Sequence, residues 1–308
     1  MTVFSFNLSD FVFVWWGLLY EALPFVALGA LLSGVVERCL SRETVARFFP
    51  RNHWLGILAS GCMGLVFPMC ECGVVPVVRR LIRKGVPVSC GITYLLASPI
   101  INPLVIISTA VAFRGRGAWQ ITSLRLACGF VVAALVGFAV WKLVGEGNVL
   151  RSERADGKGA GHDRENHGSA IHEVLATAAT DFLQIGAMLV FGGAIAALIN
   201  CGFSRAAMEP FTGNPWTAVS GMMGLAVALN LCSEADAFVA ASFYAFPLAA
   251  KLAFLVLGPM LDVKLLVMYA AVFRPRAIIA ISGLVVLLVF VIGVSGYIWI
   301  PMLGIGEL

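Results

Sequence analysis

Charge is what this sequence has least of. Only 12% of its 308 residues are Asp, Glu, Lys or Arg, against 60% hydrophobic, and the mean hydropathy is +0.94. A soluble domain carries about a quarter charged residues, so a water-soluble fold is excluded. Histidine is scarce too, four in all, and the apolar runs hold no haem-spaced pair and no Ser/His/Asp grouping. There is no G-x-x-x-x-G-K-[ST] phosphate loop. An ATPase, an intramembrane enzyme and a haem electron carrier therefore have no support, and no cofactor is expected. Basic residues are missing before Arg38. A secretory signal needs a positive n-region and a short apolar stretch; the run 11–36 has neither property and is expected to stay as a first span. The net charge is only +4, and the basic residues gather at the ends of apolar runs, which anchors loops and offers no nucleic-acid patch.

What is abundant is long apolar sequence: 11–36, 54–69, 86–113, 118–145, 171–199, 215–232, 237–273, which needs a break, and 277–303. About 20 such residues cross the hydrocarbon core. Backbone polar groups in lipid must be paired within their own segment, so the chain is expected to be an all-α polytopic membrane protein. The eight cysteines are scattered within these runs and just past their ends, unlike an extracellular disulfide framework. Cys39, Cys62, Cys128 and Cys201 read as small packing residues.

The segment 146–169, "EGNVLRSERADGKGAGHDRENHGS", is charged and Gly-rich and reads as a solvated linker. His162 and His167 within it could alternatively hold a metal. It divides the chain into residues 1–145, a linker over 146–170, and residues 171–308. The two halves match at a shift of 160 residues: "SGCMGLVFPMCEC" (60–72) lies over "SGMMGLAVALNLC" (220–232), Pro99 over Pro259, and Asn102 over Asp262. Internal duplication with interrupted apolar segments points to a secondary transporter. Pro99 and Pro103 split the run 86–113 into two half-helices, forming either one kinked span or a re-entrant hairpin. Arg79, Arg80, Arg83 and Lys84 on one side and Arg114 and Arg116 on the other favour the hairpin. Four-segment halves would then be inverted. On that reading one face carries Arg38, Arg42, Arg47, Arg51, Arg151, Arg154, Lys158, Arg164, Arg274 and Arg276, and the other those six plus Arg205. Ten against seven points to a cytoplasmic linker.

The chemistry concentrates in "FPMCECGVVP", residues 67–76. Pro68, Gly73 and Pro76 discourage helix, and an extended stretch would aim Cys70 and Cys72 to one side. Pro99, Pro103 and Pro259 are the corresponding breaks further on. Cys72 matches Cys232 across the repeat, so three thiols could converge near midplane and select a soft, thiophilic partner; the plain alternative is a kink with small buried cysteines. Carboxylates inside a membrane are costly, which marks Glu71, Glu234, Asp236 and Asp262 as candidates for carrying protons, against the alternatives of solvated span ends and of an Asp262 paired with Lys264 or Lys251. Asn102, Asn230 and Ser98 could offer oxygens to a solute at the breaks.

The stretch "CECGVVPVVRRLIRKGVPVSCGITYLLASPIINP" (70–103) and the later "GPMLDVK" (258–264) resemble the ArsP-type, or YraQ-like, permeases over the whole chain. That resemblance implies a bacterial inner-membrane, multi-pass efflux permease for trivalent organoarsenicals. Cys70 and Cys72 would stand at the family's paired-cysteine positions, and Pro99, Asn102 and Pro103 at its broken helix. Glu71, where the family pattern often has a small residue, favours a cationic or metal solute instead. The expected function is proton-coupled export of a thiophilic small molecule. The alternatives are a permease for a soft metal ion or sulfur metabolite, and a non-transporting membrane subunit of a larger complex. Lipid is the expected surroundings, and an oligomer is open.

Overall fold

The computed structural model describes residues 8–39, 53–115, 117–143, 170–202 and 213–302. His162, His167 and the rest of the linker up to residue 169 lie outside them. The described residues form α-helices and no strand. In order these are α1 (Leu8–Cys39), α2 (His53–Cys62), α3 (Glu71–Arg83), α4 (Val88–Ala97), α5 (Pro103–Ala112), α6 (Ala118–Leu143), α7 (Ala170–Gly202), α8 (Pro215–Leu229), α9 (Asp236–Ser242), α10 (Leu248–Leu257), α11 (Val263–Val272) and α12 (Pro275–Met302). α1, α6, α7 and α12 are each long and apolar enough to cross a membrane. Their outer faces remain apolar, with Phe13, Leu183, Phe191 and Ile279 at least 70% exposed. Such surface is stable against lipid and not against water. The chain is a multi-pass membrane protein.

α4 and α5 make one broken span. Along α6, Arg125 meets Thr109, Gly129 faces Ile100, and Gly137 faces Thr93 and the Ser89 carbonyl. Neighbours therefore run backwards from 109 to 89 as α6 advances, so both half-helices lie antiparallel to it in a single line. Residues 88–112 would cover about 37 Å at helical rise, enough to cross. The hairpin expected over 86–113 is corrected accordingly.

The re-entrant element is instead the pair α2 and α3. Trp54 stacks on Phe138 and His53 on Trp141, near the end of α6. Gly64 sits against Ser98 and Ile101 at the α4–α5 break. α3 then climbs back, with Ile82 and Val78 against Gly91. Thirteen residues reach about 20 Å, short of the roughly 30 Å core, so the two arms form a V that turns back partway. Its open end lies with Glu37 of α1, which receives Lys84 at 3.1 Å. This is the end where α6 stops and α7 begins, called here the linker end. Arg79, Arg80, Arg83 and Lys84 therefore belong to the linker end, on the opposite face from the one the charge pattern assigned them.

The second half opens the other way. Ala226 of α8 and Asp236 of α9 both meet Gly258 at the α10–α11 break. Tyr244 and Phe246, beyond α9, lie beside Phe113 and Ile300 at the far end. α4 and α10, and likewise α5 and α11, begin and end at positions 160 apart in the chain.

Two glycines and one asparagine set the joints. A Cβ on Gly29 would strike the Gly73 backbone, and one on Gly73 would lie 2.9 Å from the Phe25 carbonyl, so α1 and α3 touch backbone to backbone. Gly73 and Pro76 lie inside α3 rather than breaking it; Pro68 does lie in the turn, Pro99 and Pro259 at the two span breaks, and Pro103 opens α5. Asn230 ends α8 with φ +50°, a left-handed conformation that asparagine tolerates better than most residues. Its Oδ1 accepts from the Val263 and Lys264 N–H groups at 2.9 and 3.3 Å, and its Nδ2 donates to the Val227 and Ala228 carbonyls, both at 2.9 Å. Asn230→Leu adds left-handed strain to buried unpaired groups, for an expected loss of about 2–4 kcal/mol. Asn230→Gly loses the bonds without the strain. Thermal melts in detergent should therefore rank wild type above Asn230→Gly above Asn230→Leu.

Candidate functional site

Where the first V meets the second half, a carboxylate and an ammonium face each other in the interior. Glu71 is the first residue of α3, and the preceding turn aims its side chain across the bundle. Lys264 is the second residue of α11. Lys264 Nζ donates to Glu71 Oε1 at 3.0 Å and lies 3.4 Å from Asp262 Oδ2. All three residues are about 1% exposed. Asp262 also caps α11, its Oδ1 accepting from the Leu265 N–H at 2.6 Å. Ser233 Oγ donates to Glu71 Oε2 at 3.3 Å.

A second buried pair lies nearer the far end. Arg125 Nη2 donates to both oxygens of Asp236 at 2.9 Å and to the Ser233 carbonyl at 3.0 Å, while Nη1 donates to Thr109 Oγ1 at 2.7 Å. Ser233 touches both pairs, linking Thr109, Arg125, Asp236, Ser233, Glu71, Lys264 and Asp262 in one polar chain. At the linker end Arg80 donates to Asp181 at 3.0 and 3.2 Å, and Ser33 to the same carboxylate at 2.6 Å. Glu71–Lys264, Arg125–Asp236 and Arg80–Asp181 each take one partner from residues 1–145 and one from 171–308. An isolated charge in the interior is very costly, so these pairs hold the halves in register.

The three thiols are drawn to this centre and sealed in it. Cys70 and Cys72 flank Glu71 in the chain, and Cys232 precedes Ser233. Cys70, Cys72 and Cys232 are 3%, 0% and 3% exposed. Cys70 caps α3 in extended backbone, but Cys72 is already in its first turn. The extended Cys-x-Cys pair expected from the sequence is therefore replaced by one cap and one helical cysteine. Among the described residues no three His, Cys, Asp or Glu side chains are grouped so as to hold a metal ion.

The side-chain oxygens of Asn102 and Asn230, expected to face a solute, are committed to backbone. Asn102 Oδ1 accepts from the Leu104 N–H at 3.0 Å, and its Nδ2 reaches the Met69 carbonyl at 3.5 Å. Asn230 is the latch described above. Ser98 is fully buried at the first break. Glu234 is half-buried and its Oε1 has no hydrogen-bond partner. Sequence reasoning missed Arg125, Ser233 and the pairing of Lys264 with Glu71. A lone arginine in the apolar stretch 118–145 was the available signal for the first; nothing in the sequence pointed to the second.

Broken spans, two opposed re-entrant pairs and an ion-paired interior define the class: a helical membrane protein built on the pattern of transporters. The chain belongs to the ArsP-type family of predicted permeases, which it matches over residues 8–296. It is 35% identical over 289 residues to the UPF0718 protein YcgR of Bacillus subtilis, covering 92% of this chain and 95% of that one. It is 36% identical over 267 residues to a Streptococcus mutans protein named as a putative two-component membrane permease complex subunit, covering 86% and 88%. No solved structure matches it. Family membership points to a membrane permease rather than an enzyme.

Proposed function

We propose that the protein is a proton-coupled secondary transporter that exports a thiophilic small molecule, such as a trivalent organoarsenical, by alternating access. The observation that carries this reading is the buried Glu71–Lys264–Asp262 cluster between the halves. Protonating a carboxylate frees Lys264 and loosens the joint; deprotonation restores it. Glu71, Asp236 and Asp262 carry the coupling proton in turn, with Glu234 beside them. Loosening the joint uncovers Cys70, Cys72 and Cys232, whose soft sulfurs take the solute.

The halves, 1–145 and 171–308, are proposed as inverted copies. Three crossings and one V in each, the opposed V pairs and the 160-residue spacing of helix ends support this. The linker end is then cytoplasmic. Among described residues, Arg38, Arg79, Arg80, Arg83, Lys84, Lys142, Arg274 and Arg276 lie toward it, whereas Arg114 and Lys251 lie toward the far end, a bias that agrees with the positive-inside rule. The host membrane is then the cytoplasmic membrane of a bacterium.

The test is resistance and transport together. Cells producing the wild type should tolerate trivalent methylarsenical better than cells producing Cys72→Ser at equal protein level. Equal tolerance removes the thiol role, and proton-driven counterflow in liposomes then still tests the permease. A second reading, a subunit of a two-component permease, is favoured by the turn of the first V. Leu65, Val66 and Phe67 there are 51%, 70% and 43% exposed, a contiguous apolar patch of the kind that marks an interaction site. Transport by the purified chain alone would eliminate that reading.

A further inference from the structure

The two halves differ in what covers them. α1 and α7 lie together as an antiparallel pair: Trp15 Nε1 donates to the Val190 carbonyl at 3.2 Å, and a Cβ on Gly34 would strike the Val174 backbone. This pair sits on a platform made by α3 and α11, both of which run from the centre to the linker end. α1 meets α3 backbone to backbone at Gly29 and Gly73. α7 lies over α11, where a Cβ on Gly192 would come within 3.1 Å of Lys264 Cα and 3.2 Å of Val267 Cβ. Arg80–Asp181, Arg79–Gln184 at 2.7 Å and Lys84–Glu37 fasten the same seat. α7 also ties the end of α8, Asn200 Nδ2 donating to the Leu229 carbonyl at 3.0 Å.

A shift of 160 residues converts this platform into a second one, made by α5 and α9, which run from the centre to the far end. Among the described residues neither α1 nor α7 forms an interface with it. Its face is bare where the first is covered. Phe238 is 50% exposed and its counterpart Val78 0%; Leu104 is 52% exposed and its counterpart Lys264 1%. We infer that the α1–α7 pair is the moving body of the protein, and that the α5–α9 platform is its second seat. The pair maps onto itself when the halves are exchanged, so it fits either platform; at the far seat α1 would lie on α5 and α7 on α9. At the present seat α7 covers Lys264. Leaving it would open the Glu71–Lys264–Asp262 cluster toward the linker end, while the new seat closes the far side. The far seat is the weaker one. The counterparts of Gly29 and Gly73 there are Leu189 and Ser233, and those of Arg80 and Asp181 are Ala240 and Glu21. Neither the glycine contact nor the ion pair is repeated, so the linker-end seat is the resting state. The inference rests on reading the halves as inverted copies and supplies the moving part for the alternating access proposed above, whatever the solute.

The counterparts of Gly192 and Val267 are Leu32 and Ile107, so the far seat would bring residues 32 and 107 within disulfide reach. The test uses full-length Leu32→Cys/Ile107→Cys protein in liposomes, oxidised with copper phenanthroline, with the linked peptides mapped by mass spectrometry. The control is Leu32→Cys with Val131→Cys, residue 131 being exposed on α6. A disulfide between 32 and 107 within one chain is expected, forming at least tenfold faster than the control. Asp181→Asn, which loosens Arg80 and Ser33 at the present seat, should speed it at least threefold. The inference is overturned if the 32–107 disulfide forms no faster than the control, as it would were the far platform covered by lipid alone. It is overturned equally if the link joins two chains, which would assign that platform to a second copy, or if a folded Asp181→Asn leaves the rate unchanged. Should that variant fail to fold, the comparison with the control decides. Uptake of trivalent methylarsenical by wild-type liposomes is scored separately: its absence would count against the permease reading and leave the disulfide result standing.

Discussion

Lys264→Met should abolish transport and destabilise the fold at once. It leaves Glu71 and Asp262 as two carboxylates around an emptied centre, both about 1% exposed. Removing one partner of a buried ion pair costs about 3–5 kcal/mol, whereas removing both together is often close to neutral. The combination Glu71→Gln, Asp262→Asn and Lys264→Met should therefore recover most of the lost stability. Asparagine still caps α11 at position 262, so the start of that helix is kept. Transport should not recover, because the combination has no titrating group left at the joint. Proton-gradient-driven transport in liposomes and denaturation in detergent, measured on the same preparations, separate the two effects. A triple variant that transports like wild type would remove the cluster from the mechanism.

The second large effect is expected at Arg125. Its guanidinium is 1% exposed, in an ion pair with an Asp236 that is 2% exposed, and it holds Thr109 and the Ser233 carbonyl besides. Arg125→Leu strands the Asp236 carboxylate and should cost about 3–5 kcal/mol. Adding Asp236→Asn should return most of that, since the amide needs no counter-charge. Arg125→Lys should fall short of wild type, because an ammonium has no planar fork with which to reach aspartate, threonine and carbonyl together. Denaturation midpoints of the three variants check the order. Additive losses in the double variant would mean that the two residues act independently.

The sequence told much about composition and little about pairing. Apolar runs too long for a soluble core made the membrane class legible, and Pro99 with Pro103, and Pro259 with Asp262, marked both broken spans. The V was not legible. Its arms, 53–62 and 71–83, each fall short of a crossing, and the prolines at 99 and 103 drew the hairpin to the wrong run. That misplacement carried Arg79, Arg80, Arg83 and Lys84 to the wrong face and flattened a steep charge bias into ten against seven. At the centre, Cys70, Glu71, Cys72, Cys232 and Asp262 stood out as costly or reactive groups in apolar surroundings. Of their partners only Lys264 beside Asp262, two positions away, was legible. Lys264 is 193 positions from Glu71 and Arg125 is 111 from Asp236, and no local pattern announces a contact at that distance. Asn102 and Asn230 were legible as polar groups at breaks. Whether an amide serves a solute or a helix end depends on which backbone N–H lies opposite, and only the folded chain decides that.

Those same separations make the protein's birth a distinct problem. A ribosome adds about 5–20 residues per second, so the 193 positions between Glu71 and its ammonium take on the order of 10–40 s to appear. During that interval the early segments enter the bilayer with an acid and, for part of it, two guanidiniums whose counterparts are still unmade. The nascent chain must keep the acid protonated, leave that stretch at the aqueous surface, or shelter it in the insertion machinery until the later helices arrive. Premature termination after residue 145 would leave a membrane fragment in which Glu71, Arg80 and Arg125 have all lost their later partners, a clear mark for proteolytic quality control.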